Sequence, residues 1–133
     1  MPKILLVEDD PLISRMYLKV FTFEGFEIQL ATNGQEGLDK LKEFHADMLL
    51  IDIMMPVMNG VEMLAQVKLD AATRDIPVIM LTNLSDTRTA EATINQGAVR
   101  YIVKGNYNPV DVVGMVKDIL AGKETASDAD QLA

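Results

Sequence analysis

The chain has 133 residues, of which 49% are hydrophobic and 24% charged, the size and composition of one ordinary globular domain, which excludes a wholly disordered or disulfide-stapled small protein. A formal net charge of -8, with no compensating Lys/Arg cluster, disfavours direct binding to a phosphate backbone. Zero cysteines and a single histidine remove disulfides, thiolate nucleophiles and the usual zinc sites, leaving oxygen donors for any metal.

Met1-Pro2-Lys3 leads into Ile4-Leu5-Leu6-Val7, an apolar run stopped by Glu8-Asp9-Asp10. That run is far short of the ~18 apolar residues of a membrane span and lacks a signal-peptide pattern, so a soluble cytoplasmic protein with no membrane partner is expected. It reads instead as a strand buried on both faces. Ile13, Met16, Tyr17, Val20 and Phe21 then form one helical stripe, with Gly25 beyond its end. A second strand covers Phe26 to Ala31. Asn33 and Glu36 suit an N-cap with its capping box, followed by Leu38, Leu41 and Phe44 on one face, while Gly37 lowers helix propensity and makes that helix dependent on packing.

Met48-Leu49-Leu50-Ile51 is a third buried strand ending at Asp52. Pro56 to Gly60 breaks structure, and Val61, Leu64 and Val67 line the next helix. Pro77 opens the fourth strand, which runs to Leu81 and ends at Thr82. The helix from Asp86 to Gln96 has the least apolar anchorage. Val99 to Val103 gives the fifth strand, and Val112, Val113, Val116, Ile119 and Leu120 line a last helix with Pro109 in its first turn. Continuous apolar strands alternating with helices predict an α/β fold, a doubly wound five-stranded parallel sheet over residues 1–121, with 122–133 as a flexible tail or the start of a connector.

In such a sheet ligands bind beyond the carboxyl ends of the strands. The distinctive polar residues fall there: Glu8, Asp9 and Asp10 after the first strand, Asp52 at the third, Thr82 at the fourth and Lys104 after the fifth. Acids also end strands simply because strand ends meet solvent. Several carboxylates at adjacent ends, however, repel one another and suit a hard divalent cation, Mg2+ rather than Ca2+ because no EF-hand-like ligand spacing is present. Asp52 directly ends a buried run and is followed by Ile53-Met54-Met55-Pro56, apolar neighbours expected to keep it dry. A carboxylate so placed can accept a phosphoryl group as an acyl phosphate if metal and lysine offset its charge.

Four segments, residues 4–10, 52–60, 77–82 and 97–104, together resemble the response regulator receiver domain, the CheY-like, flavodoxin-like fold of two-component signalling. The resemblance implies strand order 2-1-3-4-5. It implies Glu8 and Asp9 as the acidic pair that organises Mg2+, the Met54 carbonyl as a further ligand, and Asp52 as both ligand and phosphoacceptor. Thr82 would contact the phosphoryl group with its hydroxyl, Lys104 would neutralise its charge, and Tyr101 would turn inward as Thr82 moves. A histidine kinase or histidine phosphotransfer protein would be the donor, and a downstream protein or output domain the receiver of the signal, with a homodimer formed on phosphorylation also consistent. The chain would then catalyse its own phosphorylation and dephosphorylation, with no external metabolic substrate.

Asp10 and His45 are read as peripheral, and the nine methionines mostly as core filler. The family commonly has proline after the lysine, aspartate at 59 and alanine at 83; here Gly105, Asn59 and Asn83 stand there. Gly105 keeps open the alternative of a receiver-shaped scaffold that acts without phosphorylation, against which stands the retention of Glu8, Asp9, Asp52, Thr82 and Lys104. A flavin carrier is disfavoured because acids follow the first strand where a phosphate cradle should offer amides. In the resembled family, positions 54 and 84 flank the path of hydrolytic water. Met54 and Leu84 offer it no hydrogen bond, and a long-lived phosphorylated state is expected.

Overall fold

The computed structural model describes residues 1–122. Strands β1 (Lys3–Val7), β2 (Glu27–Ala31), β3 (Met48–Asp52), β4 (Val78–Thr82) and β5 (Arg100–Val103) alternate with helices α1 (Pro11–Phe23), α2 (Gly34–Leu41), α3 (Gly60–Leu69), α4 (Thr87–Asn95) and α5 (Pro109–Leu120). The strands make one parallel sheet in the order β2-β1-β3-β4-β5, as expected. The expected tail lies, after Gly122, outside the described residues. No helix among the described residues is long and apolar enough to cross a membrane.

Side chains of adjacent strand residues point to opposite faces, and two cores follow from that alternation. Leu5, Val7, Leu49, Ile51, Val78, Met80, Tyr101 and Val103 face α2, α3 and α4. Ile4, Leu6, Met48, Leu50, Ile79, Leu81 and Ile102 face α1 and α5. β1, β3 and β4 are buried on both sides along their apolar residues, which explains why their sequences read as continuous runs rather than alternations.

Several boundaries move. Phe26 precedes β2 and packs edge-on against Phe21, ring centroids 5.2 Å apart. Val99 precedes β5, although its N–H still donates to the Val78 carbonyl at 2.9 Å. α2 stops at Leu41, so Phe44 is buried from the following turn and not from the helix. Met16 is 45% exposed and lies off the buried stripe of α1. α4 begins at Thr87 behind a 3-10 turn at Leu84–Asp86, with Asp86 as an N-cap that makes no side-chain cap bond. Its buried residues are only Ala90 and Thr93, the light anchorage expected.

The anticipated capping box of α2 is half formed. Asn33 accepts from the Glu36 N–H at 2.8 Å, but Glu36 reaches past the cap to the Thr32 N–H at 2.6 Å and its hydroxyl at 2.8 Å. Those bonds hold its carboxyl below the ordinary range. Asn59, by contrast, closes a full capping box with Glu62 at the start of α3, a function asparagine performs as well as aspartate.

Candidate functional site

Register delivers the site. Val7 pairs with Ile51, so Glu8 and Asp52, the next residue on each chain, leave adjacent strands side by side. Asp52 pairs with Leu81 and Thr82 with Val103, which brings Thr82 and Lys104 to the same end of the sheet. Glu8 is anchored by its own N–H, which donates to the Ala31 carbonyl at 2.9 Å. Its carboxylate is fully buried and Asp52 is 4% exposed.

Lys104 joins them. Its Nζ lies 2.8 Å from Glu8 Oε1 and 3.1 Å from Asp52 Oδ1. Glu8 Oε2 accepts the Asp10 N–H at 3.2 Å. One ammonium thus serves two buried carboxylates. Burial and then the neighbouring Glu8 carboxylate push the Asp52 pKa up to about 7, outweighing the lowering pull of Lys104. The two carboxylates outweigh the desolvation of Lys104 and raise its pKa. Burial, with a further push from the charge of Glu8, raises the Tyr17 phenol beneath the site to about 12.

Asp9 is exposed at the rim, and Glu8, Asp9 and Asp52 offer carboxylate oxygens within 4.8 Å of one another. With Lys104 as the ammonium ion-paired to Glu8 and Asp52, a fully ionised cluster keeps two negative charges. Hard oxygens around an uncompensated double charge could hold a divalent cation.

The remaining expected residues occupy distinct places. Thr82 is fully buried and its hydroxyl donates to the Asn83 carbonyl at 3.0 Å. Tyr101 is 2% exposed and lies on the α4 face of the sheet, opposite Met80. In the segment after Asp52, Ile53 is buried and Met55 packs against the core, while Met54 is 58% exposed and Pro56 is exposed. Leu84 lies outside the residues whose side chains are described. Asp10 caps α1 through the Leu12 and Ile13 amides at 2.9 and 3.3 Å, and His45 is an exposed residue. Gly105 sits in the 3-10 turn Lys104–Asn106, and the lysine reaches both carboxylates without a following proline.

Other residues shape the site without being singled out by sequence. A Cβ on Gly60 would fall 2.1 Å from the Asp52 carbonyl oxygen, so only glycine lets α3 start so close to the end of β3. Val57 holds a φ of 68° in the same loop, a conformation unusual for a β-branched residue. A cavity of about 700 Å3 lies at the opposite end of the sheet between α2 and α3, lined by Leu38, Phe44, His45 and Leu69 among others. It takes no part in the acidic cluster.

A five-stranded 2-1-3-4-5 sheet with buried carboxylates and a lysine at its carboxyl edge defines a doubly wound α/β domain with an acidic site at the point where strand order reverses. Residues 4–117 match the family model for the response regulator receiver domain, and the chain belongs to that family. It is 31% identical over 122 residues to the DNA-binding response regulator MtrA of Mycolicibacterium smegmatis, covering 92% of this chain and 52% of that one. It is 33% identical over 121 residues to the response regulator ArlR of Staphylococcus aureus, covering 91% and 52%. The chain therefore spans about half the length of these relatives. Among solved structures, a CheY-like receiver domain protein from Methanospirillum hungatei aligns with a TM-score of 0.83 at 30% identity, covering 92% of this chain and 95% of that one. The receiver domain of a signal transduction histidine kinase from Syntrophus aciditrophicus aligns with a TM-score of 0.83 at 32% identity, covering 96% of each.

The raised Asp52 pKa has a consequence for stability. The folded chain binds this proton more tightly than the unfolded chain, so ionisation opposes folding. The penalty is absent below about pH 4, grows through the window from there to about 7, and is complete above it. Asp52→Asn removes it while leaving Lys104 paired with Glu8. Thermal denaturation in chelator should show a gain at pH 8 on the order of 1–2 kcal/mol, several degrees in Tm, that vanishes toward pH 4. An equal gain at both pH values would contradict the shift.

Proposed function

We propose that this receiver domain, residues 1–121, takes a phosphoryl group from a histidine kinase or histidine phosphotransfer protein onto Asp52 and so switches a protein-binding face. The observation that carries the reading is the single ammonium of Lys104 held between Glu8 and Asp52 beside Asp9. An Asp52 carboxylate oxygen attacks phosphorus, the bond to the donor's imidazole nitrogen breaks, and the imidazole leaves with the electron pair. Lys104 turns from Asp52 toward the incoming phosphoryl oxygens. Glu8, Asp9, Asp52 and the Met54 carbonyl would hold Mg2+, whose contribution is to offset charge on the transferring group. The hard-oxygen cluster, short of positive charge, suits that ion.

Phosphorylation converts the shared carboxylate into an acyl phosphate, a mixed anhydride that brings new acceptor oxygens. Thr82 then has a stronger acceptor than the Asn83 carbonyl. Its hydroxyl can exchange one for the other, and Tyr101, already buried on the same face of the sheet against α4, readjusts with it. The few buried residues of α4 keep the cost of that shift low.

With acetyl phosphate and Mg2+, intact mass should rise by ~80 Da in the wild type and not at all in Asp52→Asn or in excess chelator. Full labelling of Asp52→Asn would refute the site.

Met54, two residues past the acceptor, cannot orient water. The acyl phosphate should therefore be long-lived, and Met54→Asn should speed its loss, by ~10-fold if water positioning contributes about 1.4 kcal/mol to the barrier. Decay measured in excess Mg2+ without kinase checks this. An unchanged or slower rate in Met54→Asn would contradict it.

A further inference from the structure

The loop from Ile53 to Asn59 joins Asp52 to α3 and carries the Met54 carbonyl. Its ends are tied to neighbouring backbone: the Ile53 N–H donates to the Leu81 carbonyl at 3.0 Å, and the Gly60 N–H to the Ile53 carbonyl at 2.9 Å. Between those ends, the Met58 carbonyl accepts from a different element, the Gly34 N–H at 2.9 Å. Gly34 is the first residue of α2, and its N–H has no carbonyl to pair with inside its own helix.

The contact leaves no room for a side chain. A Cβ on Gly34 would stand 2.8 Å from both Met58 Cγ and the Met58 carbonyl oxygen. One turn on, a Cβ on Gly37 would stand 2.7 Å from Met63 Cε and 3.2 Å from Val7 Cγ2. Both glycines are buried, so α2 lies unusually close to the strand that delivers Glu8 and to the loop that follows Asp52. Gly37, read from sequence as a weak helix residue, is what permits this approach.

Next to the clamped carbonyl is Val57, which is the non-glycine residue with positive φ among the described residues. Its side chain is 83% exposed, so no burial compensates the strain. A β-branched residue stays in that region only where its neighbours are fixed, and Met58 directly after it is fixed twice: its own N–H donates to the Pro56 carbonyl at 2.7 Å, closing a tight turn over Val57, and its carbonyl accepts the Gly34 N–H, tying that turn to α2.

We propose that Gly34 is a positioning residue for phosphoryl transfer: its N–H anchors Met58, and through it the turn at Val57, to α2, and so fixes the loop whose Met54 carbonyl is proposed above as a ligand. This inference rests on the function proposed above. It makes α2 part of the apparatus although α2 contributes no side chain to the acidic cluster.

The test compares the wild-type chain, Gly34→Ala, Val57→Gly and the double variant. Mg2+ affinity is measured by calorimetry, and the initial rate of labelling by acetyl phosphate from intact mass. Gly34→Ala should weaken Mg2+ binding and slow labelling roughly 10-fold or more, the scale expected when reacting groups are displaced by a fraction of an ångström to an ångström. Val57→Gly alone should stay within about 2-fold of wild type. In the double variant it should recover most of the loss, because the new Cβ at position 34 pushes the Met58 carbonyl away and a glycine at position 57 lets the turn adjust to that displacement without strain. Wild-type behaviour of Gly34→Ala would overturn the proposal, and so would a loss that Val57→Gly leaves unrelieved, which is the mark of a purely structural glycine. If Gly34→Ala fails to fold, amide exchange in the wild type decides: a protected Gly34 N–H that Mg2+ protects further supports the clamp, and one exchanging at the rate of an open loop overturns it. A wild type that acetyl phosphate does not label would defeat the proposed function, while the Mg2+ affinities and amide exchange would still judge the clamp.

Discussion

One ammonium shared by two buried carboxylates is the constraint on which the site rests. Glu8 and Asp52 leave neighbouring strands in register, both out of contact with bulk water, and each alone would have been costly to bury. Lys104 offsets one charge and leaves the other uncompensated. The pair is therefore a device held short of positive charge, and its remaining demand is met by a proton on Asp52, by a divalent cation, or by exchange of the carboxylate for an acyl phosphate. A fully neutralised cluster would be more stable and would have less to gain from any of these.

The surrounding framework exists to keep that arrangement from relaxing. Strand order 2-1-3-4-5 puts β1 and β3 side by side at the centre of the sheet, where helices on both faces exclude water. Gly60 brings α3 against the carbonyl of Asp52, and the loop between them accepts a strained Val57. Stability is given up locally, in buried like charges and in a left-handed β-branched residue, and is supplied elsewhere by strands whose apolar residues are wholly buried. The lightly anchored α4 sits at the other limit. It buries little and can move with little loss, which suits an element expected to carry the signal outward.

Much of this was legible in the amino-acid sequence because the relevant signals are local. Ile4 to Val7 and Met48 to Ile51 are runs that only a doubly covered parallel strand explains, and Glu8, Asp52 and Lys104 follow such runs directly. Contacts between elements were not legible. Nothing in the spacing says that Glu36 would bypass Asn33 for Thr32, because a Glu side chain can reach either amide. The stripe containing Met16 misjudged which part of α1 faces the sheet, since periodicity fixes a face only to within about one residue's rotation. Of the apolar residues after Asp52, Ile53 and Met55 pack inward while Met54 is exposed, a division that spacing alone does not give. The roles of Gly34, Gly37 and Gly60 depend on which backbone approaches them, information that no single segment contains.

The central claim is that Asp52 is held short of positive charge and that a divalent cation supplies it. The direct measurement is a pH titration of the Asp52 carboxyl carbon by 13C NMR, with and without saturating Mg2+. The account predicts a midpoint near 7 in the metal-free protein and, with Mg2+ bound, a midpoint moved below the ordinary aspartate value of about 4. A midpoint near 4 in both conditions would contradict it.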